Sequence, residues 1–254
     1  MKKLLKYDFF YLWKTQKFTV FAGVFIFFSI LSPLTARYLR EILEYFLGEE
    51  GLGLPIPDPD VYSAYGQYIS DMFETVFFVI LFVAVAVFIR DKTKGLAQLV
   101  FSKPINRTHY LVSKYITFLV LVIVATLVGY LVFSYYTYFL FDELFFAKGL
   151  GMMALFVLYI AFISAIALFA AVYMSSYLTA VVVTFGAYIF FSILTILDQV
   201  AVIKHFPGSI VQSISNILMD VADTGDVVWN IVFTLLFTGV FVGLAIHKVQ
   251  QQDI

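Results

Sequence analysis

Six apolar stretches, each long enough to cross a membrane as a helix, constrain this chain more than any other feature. A helix needs about 20 apolar residues to span the hydrocarbon core of a bilayer. The chain of 254 residues is 62% hydrophobic and only 13% charged, whereas soluble domains carry about 25% charged residues. We therefore predict an all-α integral membrane protein in which residues 1–254 form a single transmembrane domain. The six predicted spans are Phe18–Ala36, Met72–Ile89, Tyr115–Phe139, Gly151–Met174, Leu178–Leu197 and Val228–Ile246.

The distribution of positive charge predicts how the chain is oriented in the membrane. The N-terminal segment, the loop 90–114, the turn 175–177 and the C-terminal tail together hold 12 of the 16 Lys and Arg residues but only three of the 17 acids. Lysine and arginine accumulate in the cytoplasmic loops of membrane proteins. We therefore predict a multi-pass protein of the plasma membrane with both its N- and C-termini in the cytoplasm.

Residues 1–17 are predicted to form an amphipathic helix that lies in the membrane interface. Leu5, Phe9 and Trp13 recur at helical spacing on one side of this helix. Its lysines lie on another side and are Lys3, Lys6, Lys14 and Lys17. Such a helix places its apolar face in lipid and its lysines beside anionic head groups. The alternative interpretation is that the lysines only set the topology.

Two segments on the outer side are predicted to contain short helices. One precedes the second span and bears Tyr62, Tyr65 and Tyr68, which we interpret as anchors at the membrane interface. The other lies in the outer loop 198–227, where a capping-box pattern from Ser209 to Gln212 is followed by apolar residues at helical spacing. Both helices are expected on the outer face. The second is expected to be half-buried, lying at the outer membrane surface or dipping into it, and the alternative is a wholly solvated loop.

Gly239 and Gly243 form a GxxxG pattern in the last predicted span. Glycines spaced in this way allow two helices to approach closely. We expect packing against another helix of the same chain in preference to a seam between two copies.

The sequence lacks the residues that several kinds of chemistry require. The interior of every predicted span is free of Asp, Glu, Lys, Arg and His, since Glu74 and Asp198 lie only at the outer edges, and this disfavours a proton-coupled secondary transporter. There is no cysteine, and the three histidines are far apart in the sequence, so no metal site is predicted. No GxxxxGK[ST] phosphate loop is present, so we expect this chain to bind no cofactor and to hydrolyse no ATP. We predict no catalytic residues and no nucleic-acid partner, and the sequence identifies no substrate-binding residue.

The loop 90–114 is a strongly basic interruption between two apolar spans, with six Lys or Arg residues and one acid. Leu96, Leu99 and Val100 lie at positions i, i+3 and i+4, on one face of a short predicted helix. Asn106 is expected to cap the helix that follows. A short helix held between two spans can transmit force, because displacing it moves both spans. The alternative is a topology-setting loop with an incidental helix.

The order of residues in this loop resembles the inner-loop signature of ABC-2 type transporter permeases. In that family a glycine leads into a Leu-rich helix, which is followed by Ser-x-Pro-x-x-Arg and then by a Lys that enters the third span. The residues that carry the resemblance here are Gly95, Leu96, Leu99, Val100, Phe101, Ser102, Pro104, Arg107 and Lys114. The Thr-Leu-Glu usual in the family after the glycine is Leu-Ala-Gln in this chain, which removes the glutamate but retains the apolar contact.

The resemblance implies a six-span permease with an N-terminal interfacial helix, a cytoplasmic coupling helix between spans two and three, and outer-face helices. It implies the membrane subunit of an ATP-driven ABC exporter, which is not itself an enzyme and forms a homodimer or heterodimer with a similar permease. Separate ABC ATPase subunits would bind ATP and Mg, and residues 95–102 would lie in a cleft of the ATPase. An aromatic content of 19% suits a hydrophobic or amphipathic substrate. The rival interpretations are a secondary transporter or channel without an ATPase, and a membrane scaffold or sensor that transports nothing.

Overall fold

Every regular element is helical in the computed structural model, which describes residues 2–47, 58–93, 95, 106–195 and 203–251. A π-helical turn at Met72–Val76 joins the third and fourth helices, and a 3-10 turn at Ile203–His205 precedes the eighth. The α-helices are α1 (Lys2–Lys14), α2 (Lys17–Leu47), α3 (Val61–Asp71), α4 (Phe77–Thr93), α5 (Arg107–Phe141), α6 (Phe146–Tyr173), α7 (Tyr177–Leu194), α8 (Ser209–Leu218) and α9 (Thr224–Gln251).

Six helical stretches are long and apolar enough to cross a membrane, which confirms the six predicted spans. Most of them extend beyond the predicted limits because the helical backbone continues from the apolar core into polar flanks. The stretches are Phe18–Leu43, Val61–Thr93, Arg107–Phe141, Phe146–Tyr173, Tyr177–Leu194 and Thr224–Gln251. The predicted cap of α5 is also present, since the Asn106 side chain accepts hydrogen bonds from the backbone N–H groups of Thr108 and His109 at 2.9 and 3.3 Å.

Helix α6 is the centre of the bundle and packs against α4, α5, α7, α8 and α9. In its apolar window 78% of the residues are buried, compared with 11% in α9. Small side chains such as Ala165, Ala167 and Ala170 are completely buried on α6, and small residues let neighbouring helices approach closely in membrane proteins. The peripheral helices α2, α7 and α9 therefore present most of their apolar surface outward.

The short outer helices exist, but the interpretation of two tyrosines was wrong. Helix α3 carries all three predicted tyrosines, yet Tyr65 and Tyr68 are buried, and only Tyr62 is exposed. The ring of Tyr68 stacks on Phe133 of α5, with centroids 4.2 Å apart. These tyrosines belong to the packing between α3 and α5, because α3 lies against the bundle and leaves only one side free.

The prediction that Gly239 and Gly243 pack against another helix of the chain was also wrong. A Cβ atom added at either glycine would meet no atom within 4 Å among the described residues. The pattern therefore creates no close helix contact within this part of the structure.

One end of the bundle contains both terminal helices and the flanks of the loop 90–114. An Arg107 guanidinium nitrogen donates to the Val249 carbonyl near the end of α9, at 3.5 Å. The Ser113 hydroxyl, in the second turn of α5, bonds to Asp8 of α1. We call this the termini end, and the end that contains α3, α8 and the start of α6 the opposite end.

Candidate functional site

The predicted coupling helix falls outside the described residues, together with Leu96, Leu99, Val100, Phe101, Ser102 and Pro104. Gly95 and Arg107 are described. Gly95 has a φ of +67°, a left-handed conformation that glycine adopts without strain, and its N–H donates to the Lys92 carbonyl at 3.3 Å. Gly95 thus ends α4, and the candidate site is built from the two flanks of the loop.

A buried ion pair joins these flanks. The Lys114 ammonium of α5 lies 2.6 Å from a carboxylate oxygen of Asp91 in α4, and the two side chains are 6% and 8% exposed. The Tyr110 hydroxyl donates a hydrogen bond to the same carboxylate oxygen. Since buried charges persist only when they are paired and hydrogen-bonded, this arrangement fixes the end of α4 to the start of α5.

The first helix is attached to the same place through an arginine. The guanidinium carbon of Arg90 lies 3.3 Å from the centroid of the Tyr11 ring of α1, a stacking contact between cation and aromatic ring. The Arg90 Nε is 3.7 Å from the second carboxylate oxygen of Asp91. Arg90 therefore connects α1 to the ion pair.

Asp8 makes a second attachment between α1 and α5. Its carboxylate accepts a hydrogen bond of 2.9 Å from the Ser113 hydroxyl, and Asp8 is buried. Burial raises the pKa of Asp8 above its usual value, while the Ser113 hydrogen bond and the nearby Lys114 charge act in the opposite direction. We define the loop-base cluster as Asp8, Tyr11, Arg90, Asp91, Tyr110, Ser113 and Lys114.

Two further contacts extend the loop base to the remaining helices of this end. The Lys92 ammonium donates to the carbonyls of Val172 and Met174 at 2.9 and 2.6 Å, at the end of α6. A cation is favourable there because the last carbonyls of a helix lack intrahelical partners. Next to the Arg107 contact, the Gln250 amide of α9 donates to the Thr108 hydroxyl at 3.0 Å. The loop flanks therefore contact α1, α6 and α9 directly.

This arrangement can transmit a displacement. A force applied to the loop reaches α4 and α5, whose ends are held together by the buried ion pair. It reaches α1 through Asp8 and Tyr11, α6 through Lys92, and α9 through Arg107. The loop base is thus one mechanically connected unit.

The predicted interfacial residues are divided between two environments. On α1, Lys6, Phe9, Trp13 and Lys14 are exposed and Leu5 is partly buried. Trp13 is 60% exposed. The structure describes helical backbone at Lys3 and Lys17, but their side chains lie outside what it describes. An exposed apolar face beside lysines is the pattern of a helix that lies against lipid.

Sequence reasoning missed the loop-base cluster. Its charges were read as determinants of orientation and, for Lys114, as part of the loop motif, and the 82 residues between Asp8 and Asp91 conceal their proximity. One available signal was Asp91 itself, the single acid in a basic loop. An isolated acid directly beside an apolar span favours a cationic partner, and Lys114 directly precedes the next predicted span.

The chain matches the model of a known protein family over a range that includes the loop. A family model described as ABC-2 family transporter protein matches residues 60–222, which is more than half of the chain and includes the whole loop 90–114. A curated relative, the uncharacterized transmembrane protein YxlG of Bacillus subtilis strain 168, is 23% identical over 164 residues. That alignment covers 64% of this chain and 64% of the relative, so the chain spans less than two thirds of the relative's length. No solved structure matches.

Proposed function

Because the chain belongs to the ABC-2 family of transporter proteins, we propose that it is the membrane subunit of an ATP-driven exporter whose ATP is hydrolysed by separate ATPase subunits. Membership makes it a transmembrane component of a transporter. The proposal adds the coupling to an ATPase, the outward direction of transport and a hydrophobic or amphipathic substrate. It also adds a second permease as partner, in a homodimer or a heterodimer, and a plasma-membrane location with cytoplasmic termini.

The observation that carries the proposal is the mechanical continuity of the loop base. The buried Asp91–Lys114 pair joins the two helices that flank the loop, and three other helices contact those flanks. A partner that pushes on residues 95–102 would therefore displace several spans together. If the loop only determined topology, its flanks would not need contacts with three other helices.

The energy source is proposed to lie on the partner. The 254-residue sequence contains no phosphate-loop motif, so ATP and Mg would be bound by the ATPase subunits. Closure of two ATPase subunits around ATP would push on the apolar face of Leu96, Leu99 and Val100. The five lysines of residues 2–17 and the positive charge of the loop are consistent with a cytoplasmic location for this end.

The test compares two substitutions within the predicted coupling helix. The chain is coexpressed with a candidate ABC ATPase from the same organism, and copurification and the ATP hydrolysis rate of the complex are measured. Leu99→Asp places a carboxylate in the apolar contact and is expected to abolish copurification, because burying an unpaired charge is strongly unfavourable. Gln98→Asp, on the other side of the same helix, is the matched control and is expected to retain the complex.

Equal copurification of both variants would refute the coupling assignment. Two rival functions are separated by the same preparation. ATP-independent flux through vesicles that contain this chain alone would favour a secondary transporter or channel. A stable complex that hydrolyses ATP without moving any tested lipid or amphipathic compound would favour a scaffold or sensor.

A further inference from the structure

An apolar groove lies between α1 and α5 at the termini end. It has a volume of about 520 Å³ and is lined on α1 by residues from Leu5 to Trp13 and on α5 by residues from Ile116 to Val120. Among the described residues, the lining is Leu5, Lys6, Phe9, Phe10, Trp13, Ile116, Thr117 and Val120. Lys6 is the single charged residue among them. We propose that this groove binds one acyl chain of an anionic diacyl phospholipid, with Lys6 beside the head group.

The position of the groove favours an acyl chain from the surrounding leaflet. Helix α1 is held to α5 by the bond between Asp8 and Ser113, and the groove lies beyond this bond, along α5 from Ile116 to Val120. From Ser113 to Val120 is seven residues of helix, or about 10 Å. Interfacial helices bury their apolar faces roughly 5–10 Å into the boundary between head groups and acyl chains, so a groove beside α1 is within reach of an acyl chain of the surrounding leaflet.

The groove continues into a strip of α5 that faces outward. Ile123, Val124 and Leu127 lie on the same helical face as Val120, and each is about 40% exposed or more. An acyl chain in the groove would extend along this strip without crossing a polar side chain. The aromatic side chains of Phe9, Phe10 and Trp13 on α1 are each about half exposed and form the other wall.

The charge at the groove favours an anionic head group. Lys6 is exposed and lines the groove, and Lys14 lies on the same helix with its ammonium 5.1 Å from the centroid of the Phe10 ring. The acid of α1, Asp8, bonds to Ser113 and does not line the groove. A lysine near the surface attracts anionic lipids with about 1 kcal/mol, which corresponds to a preference of about fivefold over a zwitterionic lipid.

The test measures lipid retained by the full-length chain. Protein from nanodiscs containing equal amounts of phosphatidylglycerol and phosphatidylcholine is examined by native mass spectrometry. One retained phospholipid per chain is expected, with phosphatidylglycerol preferred. Val120→Trp fills the groove and should remove the retained lipid, whereas Val182→Trp, at an exposed valine of α7 that does not line the groove, should keep it. Lys6→Gln should reduce the preference for phosphatidylglycerol about fivefold. The control Lys248→Gln, on α9 and outside the groove lining, should leave that preference unchanged.

Three results would overturn the proposal. Val120→Trp and Val182→Trp could retain the same amount of lipid, or Lys6→Gln could preserve the full head-group preference. The wild-type chain could also carry no lipid while a cysteine at Val120 forms a disulfide with a second copy, in which case the second copy occupies the groove. Circular dichroism of each variant establishes that it is folded, and the Lys6→Gln result stands independently of the tryptophan variants.

Discussion

The two ends of the bundle are stabilised by different means. At the termini end, the Asp91–Lys114 pair has side chains that are 8% and 6% exposed, and it lies within a cluster that includes α1. At the opposite end, the Lys204–Asp226 pair has side chains that are 41% and 48% exposed. The buried contacts described there include the stacking of Tyr68 on Phe133 and a hydrogen-bond chain that links His205 to Asn230 and Asn230 to Ser213.

This difference teaches where single substitutions should matter most. When a buried ion pair loses one partner, the remaining charge is left uncompensated. When an exposed pair loses one partner, water solvates the remaining charge, and little stability is lost. Aromatic packing depends instead on shape and volume. The termini end should therefore be sensitive to charge and the opposite end to side-chain size.

The largest expected effect is that of Lys114→Met. It removes the closest cation from the buried Asp91 carboxylate and should lower the free energy of unfolding by about 3–5 kcal/mol. The double variant Asp91→Leu with Lys114→Met should recover most of this loss, because it removes both charges of the pair while Arg90 keeps its contact with Tyr11 and Asp8 its bond to Ser113. Thermal unfolding in detergent, followed by tryptophan fluorescence, measures both. A double variant as unstable as the single one would contradict the role assigned to the pair.

The next largest effect on stability is expected from a larger side chain at the opposite end. A Cβ added at Gly149 would overlap the buried Tyr130 phenol, whose hydroxyl donates to the Phe146 carbonyl at 2.8 Å. Gly149→Ala should destabilise the protein by about 1–3 kcal/mol. The control is Gly151→Ala, two residues along the same helix, where an added Cβ meets nothing within 4 Å. This control should be neutral or slightly stabilising, and equal losses in both variants would argue against the tight packing.

A smaller effect is expected from the titration of Asp8. Its pKa is raised in the folded state by burial, so the ionised carboxylate reduces stability at pH values above that pKa, and the penalty disappears as the pH falls through it. Asp8→Asn should therefore raise the melting temperature at pH 7.5 relative to the wild type. The difference in melting temperature between Asp8→Asn and the wild type should shrink on acidification. A difference that grows on acidification would contradict the predicted upward shift of the Asp8 pKa.

The smallest effect is predicted for Asp220→Asn at the opposite end. The Lys148–Asp220 contact is 2.7 Å long, but the Asp220 side chain is 68% exposed. Exposed pairs contribute about 0–1 kcal/mol and are screened by salt. The loss in thermal stability should be within this range and should decrease at high salt. A loss as large as that of Lys114→Met would remove the distinction between the two ends.

The sequence predicted the elements of the fold better than their contacts. The capping box predicted from Ser209 to Gln212 was wrong, because Gly208 is the N-cap of that helix and no side chain caps it. Apolar length identified the six spans, local chemistry identified the cap at Asn106, and apolar spacing identified the helix Ser209–Leu218. These features depend on neighbouring residues. The burial of Tyr65 and Tyr68 depends on α5, which is distant in the chain, so their spacing alone did not reveal it.

The candidate site was predicted only in part. The motif identified the loop, and the membership of the chain in the family is consistent with it. The ties that hold the loop base were not predicted, because Asp8, Asp91 and Lys114 meet only after α1 packs on α5. The apolar contact residues Leu96, Leu99 and Val100 remain a prediction, since they lie outside the described residues.

The central claim is that the loop base would move as one unit when the proposed ATPase partner binds ATP. The chain contains no cysteine, so spin labels can be placed at Tyr7→Cys on α1 and His109→Cys on α5, both of which are exposed. Double electron–electron resonance then measures their distance in the complex, first without nucleotide and then with ATP bound. The expected result is one narrow distribution that is unchanged by ATP in the otherwise wild-type chain and broadened by ATP when Lys114→Met is added. A shift of this distance on ATP binding with Lys114 intact, or a distribution that stays narrow with Lys114→Met, would contradict the claim.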